Sequence, residues 1–309
     1  MRIPKLLDET ARGVFTIAAT PFLPDGALDP ESIDGMVAFY EEKGATGLTI
    51  LGMMGEAGKL SDKESRIVID RVTARASVPV VVGVSAPGLA AVTTMAKAAM
   101  DRGAAGVMVA PTGGLRTDEQ IIGYFGMVAD ALGDIPWVLQ DFPLVTGVQI
   151  TPRVLRAIFD ACPTCVMLKH EDWPGLEKIA ALRRMEAEGA RRLSILCGNG
   201  GMFLLEEMLR GADGAMTGFA YPEMMAEVVR LMEAGDEGRA RDLFDAYLPL
   251  IRYESQPGLG LAIRKYTLAK RGAIAHPTVR RPGPALSEAT IAETEALIAR
   301  QEARLAALG

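Results

Sequence analysis

The chain has 309 residues, 49% hydrophobic and 23% charged, enough apolar material for one large core. Its formal net charge of -6, with no run of basic residues, argues against nucleic acid as a partner. The N-terminal stretch lacks the apolar core of a signal peptide, and no apolar run reaches the roughly 18 residues of a membrane span, so a soluble, cytoplasmic protein is expected.

Eight short apolar, β-branched runs alternate with longer helical patterns, which predicts βαβ units and a parallel sheet. In chain order they are Val14 to Thr20, Gly47 to Leu51, Val78 to Val84, Gly106 to Ala110, Trp137 to Asp141, Val166 to Lys169, Leu193 to Gly198 and Gly214 to Thr217. Most are continuously hydrophobic, as strands covered on both faces require. Helix starts lie between them: Asp29 before Pro30, and the capping boxes Ser61 to Glu64 and Thr117 to Gln120. The segments Gly44 to Gly47, Gly103 to Gly106 and Gly211 to Gly214 repeat one helix-to-strand joint.

Beyond residue 235 the pattern is helical, through Glu237 to Tyr253, Gly258 to Arg271 and Ser287 to Leu308. The expected fold is a (β/α)8 TIM barrel over residues 1–235 with a C-terminal helical extension over 236–309 packed on it. No Gly-x-Gly-x-x-Gly follows the first strand, so a dinucleotide site is not expected. Cys162 and Cys165 have the spacing of half a zinc site. There is no second pair and only two histidines, His170 and His276, so reduced thiols and no metal are expected.

TIM barrels place chemistry at the C-terminal strand ends. There the sixth run sets Lys169 directly after three apolar residues. Burying an ammonium is costly, and the usual response is a lowered pKa that leaves a free amine for imine formation. The alternative is structural, with Lys169 paired to a carboxylate such as Glu171 or reaching for the rim. After the second run, Gly52, Met53, Met54 and Gly55 offer backbone N–H groups that could receive a carboxylate, or form only a tight turn. Gln140 and Asp141 end the fifth run, where they either line the barrel mouth or finish the strand.

Ala18 to Phe22, Gly52 to Glu56, Pro143 to Gly147 and Lys169, in this order and at these intervals, resemble the dihydrodipicolinate synthase and N-acetylneuraminate lyase family of class I aldolases over nearly the whole length. The resemblance implies a Schiff base on Lys169, a 2-oxo acid such as pyruvate held by Gly52 to Gly55, no cofactor, an aldehyde as second substrate, and a homotetramer or dimer. It also marks departures. The family's proton-relaying tyrosine is replaced by Gln140, its loop threonines by Met53 and Met54, and a tyrosine after the fourth strand is absent from Pro111 to Gly113.

The arginine that receives the second substrate's carboxylate in synthases falls at Val145, which leaves aspartate semialdehyde without a charge-assisted partner. Met53, Met54, Phe142, Leu144, Val145, Phe219 and Tyr221 suggest a more apolar pocket, or ordinary packing. A substitute proton carrier is open between Asp141, Tyr221 and a water held by Gln140 and Thr217.

The expected function is a Schiff-base-forming lyase or aldolase acting on pyruvate or a related 2-oxo acid, with dihydrodipicolinate synthase the nearest named activity. A 2-keto-3-deoxy acid aldolase or dehydratase is the enzymatic alternative. A catalytically impaired barrel that binds a 2-oxo acid is the alternative of another class, and a barrel for an unrelated ligand with a structural Lys169 is a third.

Overall fold

The computed structural model describes residues 5–173 and 175–308. Eight strands close into a parallel barrel in which each pairs with the next and β8 returns to β1. They are β1 (Gly13–Ile17), β2 (Gly47–Ile50), β3 (Val80–Gly83), β4 (Gly106–Val109), β5 (Trp137–Asp141), β6 (Cys165–His170), β7 (Ser194–Cys197) and β8 (Gly214–Ala215).

Between and after them run α1 (Pro30–Glu42), α2 (Asp62–Arg75), α3 (Leu89–Met100), α4 (Asp118–Leu132), the single turn α5 (Pro143–Thr146), α6 (Pro152–Ala161), α7 (Leu176–Ala187), α8 (Leu204–Leu209) and α9 (Pro222–Glu233). The C-terminal extension comprises α10 (Glu237–Glu254), α11 (Gly260–Lys270) and α12 (Glu288–Leu308), with α10 packed on α8 and α9. The protein is a (β/α)8 TIM barrel with a helical tail.

The local chemistry matches the predicted joints. Ser61 and Thr117 close full capping boxes with Glu64 and Gln120, and Asp29 caps α1 with Pro30 in its first turn. Gly44, Gly103 and Gly211 leave their helices at positive φ of 89°, 89° and 97°, where a side chain would be strained.

Strand alternation sorts the apolar residues into two layers. Phe15, Ile17, Val81, Met108, Met167 and Leu196 fill the barrel, while Leu48, Ile50, Val82, Leu139, Leu168 and Ile195 face the helices. Most strands end a residue or more from expectation: β1 stops at Ile17 rather than Thr20, β8 at Ala215 rather than Thr217, and β6 runs on to His170 instead of ending at Lys169. A bulge between β5 and β6, where Trp137 pairs with Cys165 but Val138 with Met167, sends both Val166 and Met167 inward. Beyond it the alternation resumes. Among the described residues no helix is long and apolar enough to cross a membrane.

Candidate active site

From the bulge onward, the even beat of β6 sends Leu168 and His170 outward and Lys169 inward, and Glu171 follows on the inward side. On β5 the same beat turns Gln140 in and Asp141 out. Gln140 and Lys169 are direct neighbours across the two strands. The ammonium of Lys169 lies 2.7 Å from Glu171 Oε2, and the amide of Gln140 donates to the same oxygen at 2.7 Å. All three side chains are buried at the C-terminal end of the barrel.

The adjoining strand makes room for this group. A Cβ on Gly198, the residue after β7, would lie 2.1 Å from Glu171 Cγ. No side chain other than hydrogen fits there while Glu171 keeps its place.

The loop after β2 is a short 3-10 turn over Met53–Gly55, bracketed by Leu51 and Glu56 at φ of 55° and 54°, unusual for residues with side chains. The amides of Gly55 and Glu56 close the turn on the carbonyls of Gly52 and Met53, each at 3.0 Å. Those of Met53 and Met54 open it and have no intrahelical acceptor. Met54 packs on the barrel-filling cluster, whereas Met53 is exposed on the rim. Thr20 Oγ1 donates to the Gly55 carbonyl at 2.6 Å, tying the loop after β1 to this turn. Across the mouth Thr217 Oγ1 accepts the Gly200 amide at 2.9 Å and so fixes the loop after β7. A cavity of about 750 Å³, walled by Leu51, Gly52, Met53, Met108, Gln140 and Val145, opens beside Gln140.

This arrangement, a buried lysine on the sixth strand facing a carboxylate under a loop of free amides, agrees with a match of residues 10–301 to the model of the dihydrodipicolinate synthetase family. The chain belongs to that family. It is 32% identical over 301 residues to a 4-hydroxy-tetrahydrodipicolinate synthase of Sorangium cellulosum, covering 94% of this chain and 96% of that one. It is 29% identical over 297 residues to an L-2-keto-3-deoxyarabonate dehydratase of Azospirillum brasilense, covering 94% of each. A solved dihydrodipicolinate synthase from Rhodopseudomonas palustris aligns with a TM-score of 0.94 at 53% identity, over 96% of this chain and 99% of that one. The family is one of class I aldolase-type lyases.

Against the family pattern, the geometry separates the expected site residues. Lys169, Gln140, Gly52, Met54, Gly55 and Thr217 gather at the barrel mouth, and Met53 stands on its rim. Asp141 does not join them. It has no exposed surface, and its Oδ2 receives Lys178 from α7 at 2.6 Å on the outer side of the sheet. Burial raises its pKa to about 6, with Lys178 opposing. Its neighbour His170 is lowered to about 4, first by burial and then by the Lys178 charge. Adjacency to Gln140 in sequence is what puts Asp141 on the opposite face.

Tyr221 is likewise out of place for a proton carrier. Its ring packs with Phe219 and Tyr247 beneath the Arg271 guanidinium, its pKa is pushed up to about 12 mainly by burial, and its hydroxyl makes no hydrogen bond to Lys169, Glu171 or Gln140. Phe219 and Tyr221 belong to the packing between barrel and helices, while Met53 and Val145 do line the cavity.

Glu171, expected only as a counter-ion to Lys169, meets Gln140 as well. The signal was available: two positions beyond Lys169 on a strand is the same face.

Proposed function

We propose that the protein is an imine-forming lyase in which Lys169 attacks C2 of pyruvate or a related 2-oxo acid. The observation that carries this is the placement of Lys169: inward, buried and at the C-terminal end of β6, with Gln140 beside it and Glu171 against its nitrogen. The nitrogen forms a bond to C2, the carbonyl oxygen leaves as water, and the protonated imine draws electrons from C3. The free amides of Met53 and Met54 and the turn they open are suited to the substrate carboxylate, as the family resemblance assigns.

Which bond is then made or broken depends on the second half of the pocket. Val145 and Met53 give the cavity an apolar wall where synthases place an arginine. This favours a 2-keto-3-deoxy acid as substrate over an aldehyde bearing its own carboxylate, and carbon–oxygen cleavage fits the relative named as a dehydratase. Carbon–carbon chemistry of the synthase type is the second reading, supported by the relative and the solved structure named as synthases. No cofactor enters either reaction. The cytoplasm as location and a dimer or homotetramer as assembly complete the reading.

Incubation with a five-carbon 2-keto-3-deoxy acid, followed by proton NMR, tests the assignment. A 2-oxo product lighter by one water marks dehydration, and release of pyruvate with an aldehyde marks aldol cleavage. Recovery of this substrate unchanged, together with no consumption of pyruvate in the presence of aldehydes, contradicts the lyase reading.

A further inference from the structure

We propose that Glu171 is the acid–base catalyst of this barrel, taking over the proton transfers that the family assigns to the tyrosine replaced here by Gln140. The proposal rests on the imine reading of Lys169 and names the group that moves the protons. Three observations point to it. Glu171 Oε2 is 2.7 Å from the nitrogen that must gain and lose protons. The Gln140 amide donates to that same oxygen, also at 2.7 Å, so the residue at the tyrosine position orients the carboxylate. Glu171 Oε1 has no hydrogen-bond partner among the described residues, and the carboxyl occupies space that exists only because residue 198 is glycine.

With Oε2 held by Lys169 and Gln140, Oε1 is left without a partner among the described residues and is available to carry a proton, which must pass to the nitrogen, the departing oxygen and C3 in turn.

The proton count closes around this one carboxyl. Starting from the ammonium and carboxylate, Glu171 takes one proton from Lys169 and frees the amine. The amine bonds to C2, and the nitrogen passes a proton to the former carbonyl oxygen to give the neutral carbinolamine. Glu171 returns its proton to that hydroxyl, the C2–O bond breaks, and water leaves behind a protonated imine and the carboxylate. The carboxylate next takes a proton from C3, and the C–H electron pair becomes the C2–C3 double bond of the enamine. With a hydroxyl on C4, the enamine electrons expel it, and Glu171 gives the C3 proton to the leaving oxygen. One water then hydrolyses the final imine and frees Lys169, so of the two waters released one is returned, the net loss is one water, and no oxidant or reductant is consumed.

The decisive experiment needs only pyruvate and deuterated water. Imine and enamine formation exchange the methyl protons of pyruvate, and NMR reads the rate. The parent is expected to exchange, and Lys169→Ala is not. Glu171→Gln keeps the side chain's size but is no acid or base, so its exchange rate falls about a hundredfold or more, and borohydride trapping slows with it while still labelling Lys169.

Glu171→Asp separates catalysis from packing. A packing role ranks Gln above Asp, and proton transfer ranks Asp above Gln. Glu171→Ala with added formate gives a second readout: formate restores exchange if a carboxylate is the missing catalyst. Exchange in Glu171→Gln within a few fold of the parent overturns the proposal, as does an unchanged rate in Glu171→Ala upon adding formate. A parent that is neither trapped nor exchanges pyruvate overturns the imine reading instead.

Discussion

The ammonium of Lys265, on α11 of the C-terminal extension, lies 2.5 Å from Oε1 of Glu56, the residue that closes the turn after β2. Lys265 has no exposed surface, donates also to the carbonyls of Thr20 at 2.7 Å and Thr278 at 2.8 Å, and sits 4.4 Å over the Phe22 ring centroid. The other Glu56 oxygen accepts from Lys59 at 2.9 Å and the Arg280 amide at 3.0 Å. The tail thereby holds a loop whose flanking residues both carry left-handed backbone, a conformation that surrounding structure must maintain.

Lys265→Met is therefore expected to cost about 3 kcal/mol, because a buried carboxylate loses its main partner. The loss shows in thermal unfolding. In the double variant Lys265→Met with Glu56→Gln, most of the stability returns because no fully buried charge is stranded, Lys59 being partly exposed. The loop still lacks its tether, so both variants need more pyruvate for half-maximal borohydride trapping than the parent. An unchanged midpoint in both would show that the tether does not govern the loop.

Gly198→Ala probes the fit of Glu171 from the opposite side. With a Cβ due 2.1 Å from Glu171 Cγ, either the carboxyl or the strand end must move. The expected result is a folded protein destabilised by about 1 to 3 kcal/mol, with pyruvate exchange reduced by more than its stability loss explains. Exchange kinetics beside a melting curve decide it, and an alanine variant with parental exchange would place Glu171 elsewhere.

Val145 is 58% exposed on α5, at the position to which the family resemblance assigns the synthases' arginine. The chain is expected to use aspartate semialdehyde poorly with pyruvate, and Val145→Arg to raise kcat/KM for it about tenfold, equivalent to about 1.4 kcal/mol. Coupled synthase assays measure this. No gain from the arginine would mean that the wall facing Val145 does not receive that substrate's carboxylate.

Glu207 on α8 is buried, and burial pushes its pKa up to about 8 while a bond from the Cys197 thiol opposes. Between its ordinary value of 4.5 and about 8, the folded protein binds a proton that the unfolded chain has released. Its contribution is complete below the lower value and lost as pH rises through the upper, at no more than about 1.4 kcal/mol per pH unit. Denaturant unfolding from pH 5 to 8 is expected to show falling stability, with a flatter profile in Glu207→Gln. Parallel profiles would rule Glu207 out as the source.

The barrel was legible because parallel strands buried on both faces write themselves as apolar runs, and because capping residues and helix-ending glycines mark the joints between them. Lys169 stood out as a charge at the end of such a run. What the runs hide is the face on which polar end-residues fall. Gln140 and Asp141 look equivalent in sequence, yet alternation separates them to opposite sides of the sheet. Glu171 was obscured because the sixth run was ended at Lys169, two residues short of it. The Lys265 tether had no local signature at all, since its partner Glu56 lies in the loop after β2.

The most direct test of the whole account is intact mass after incubation with pyruvate and sodium borohydride, followed by peptide mapping. The account predicts one reduced pyruvate adduct per chain, located on Lys169 and absent from Lys169→Ala. An adduct that survives in Lys169→Ala, or no adduct in the parent with pyruvate or any other 2-oxo acid, would contradict it.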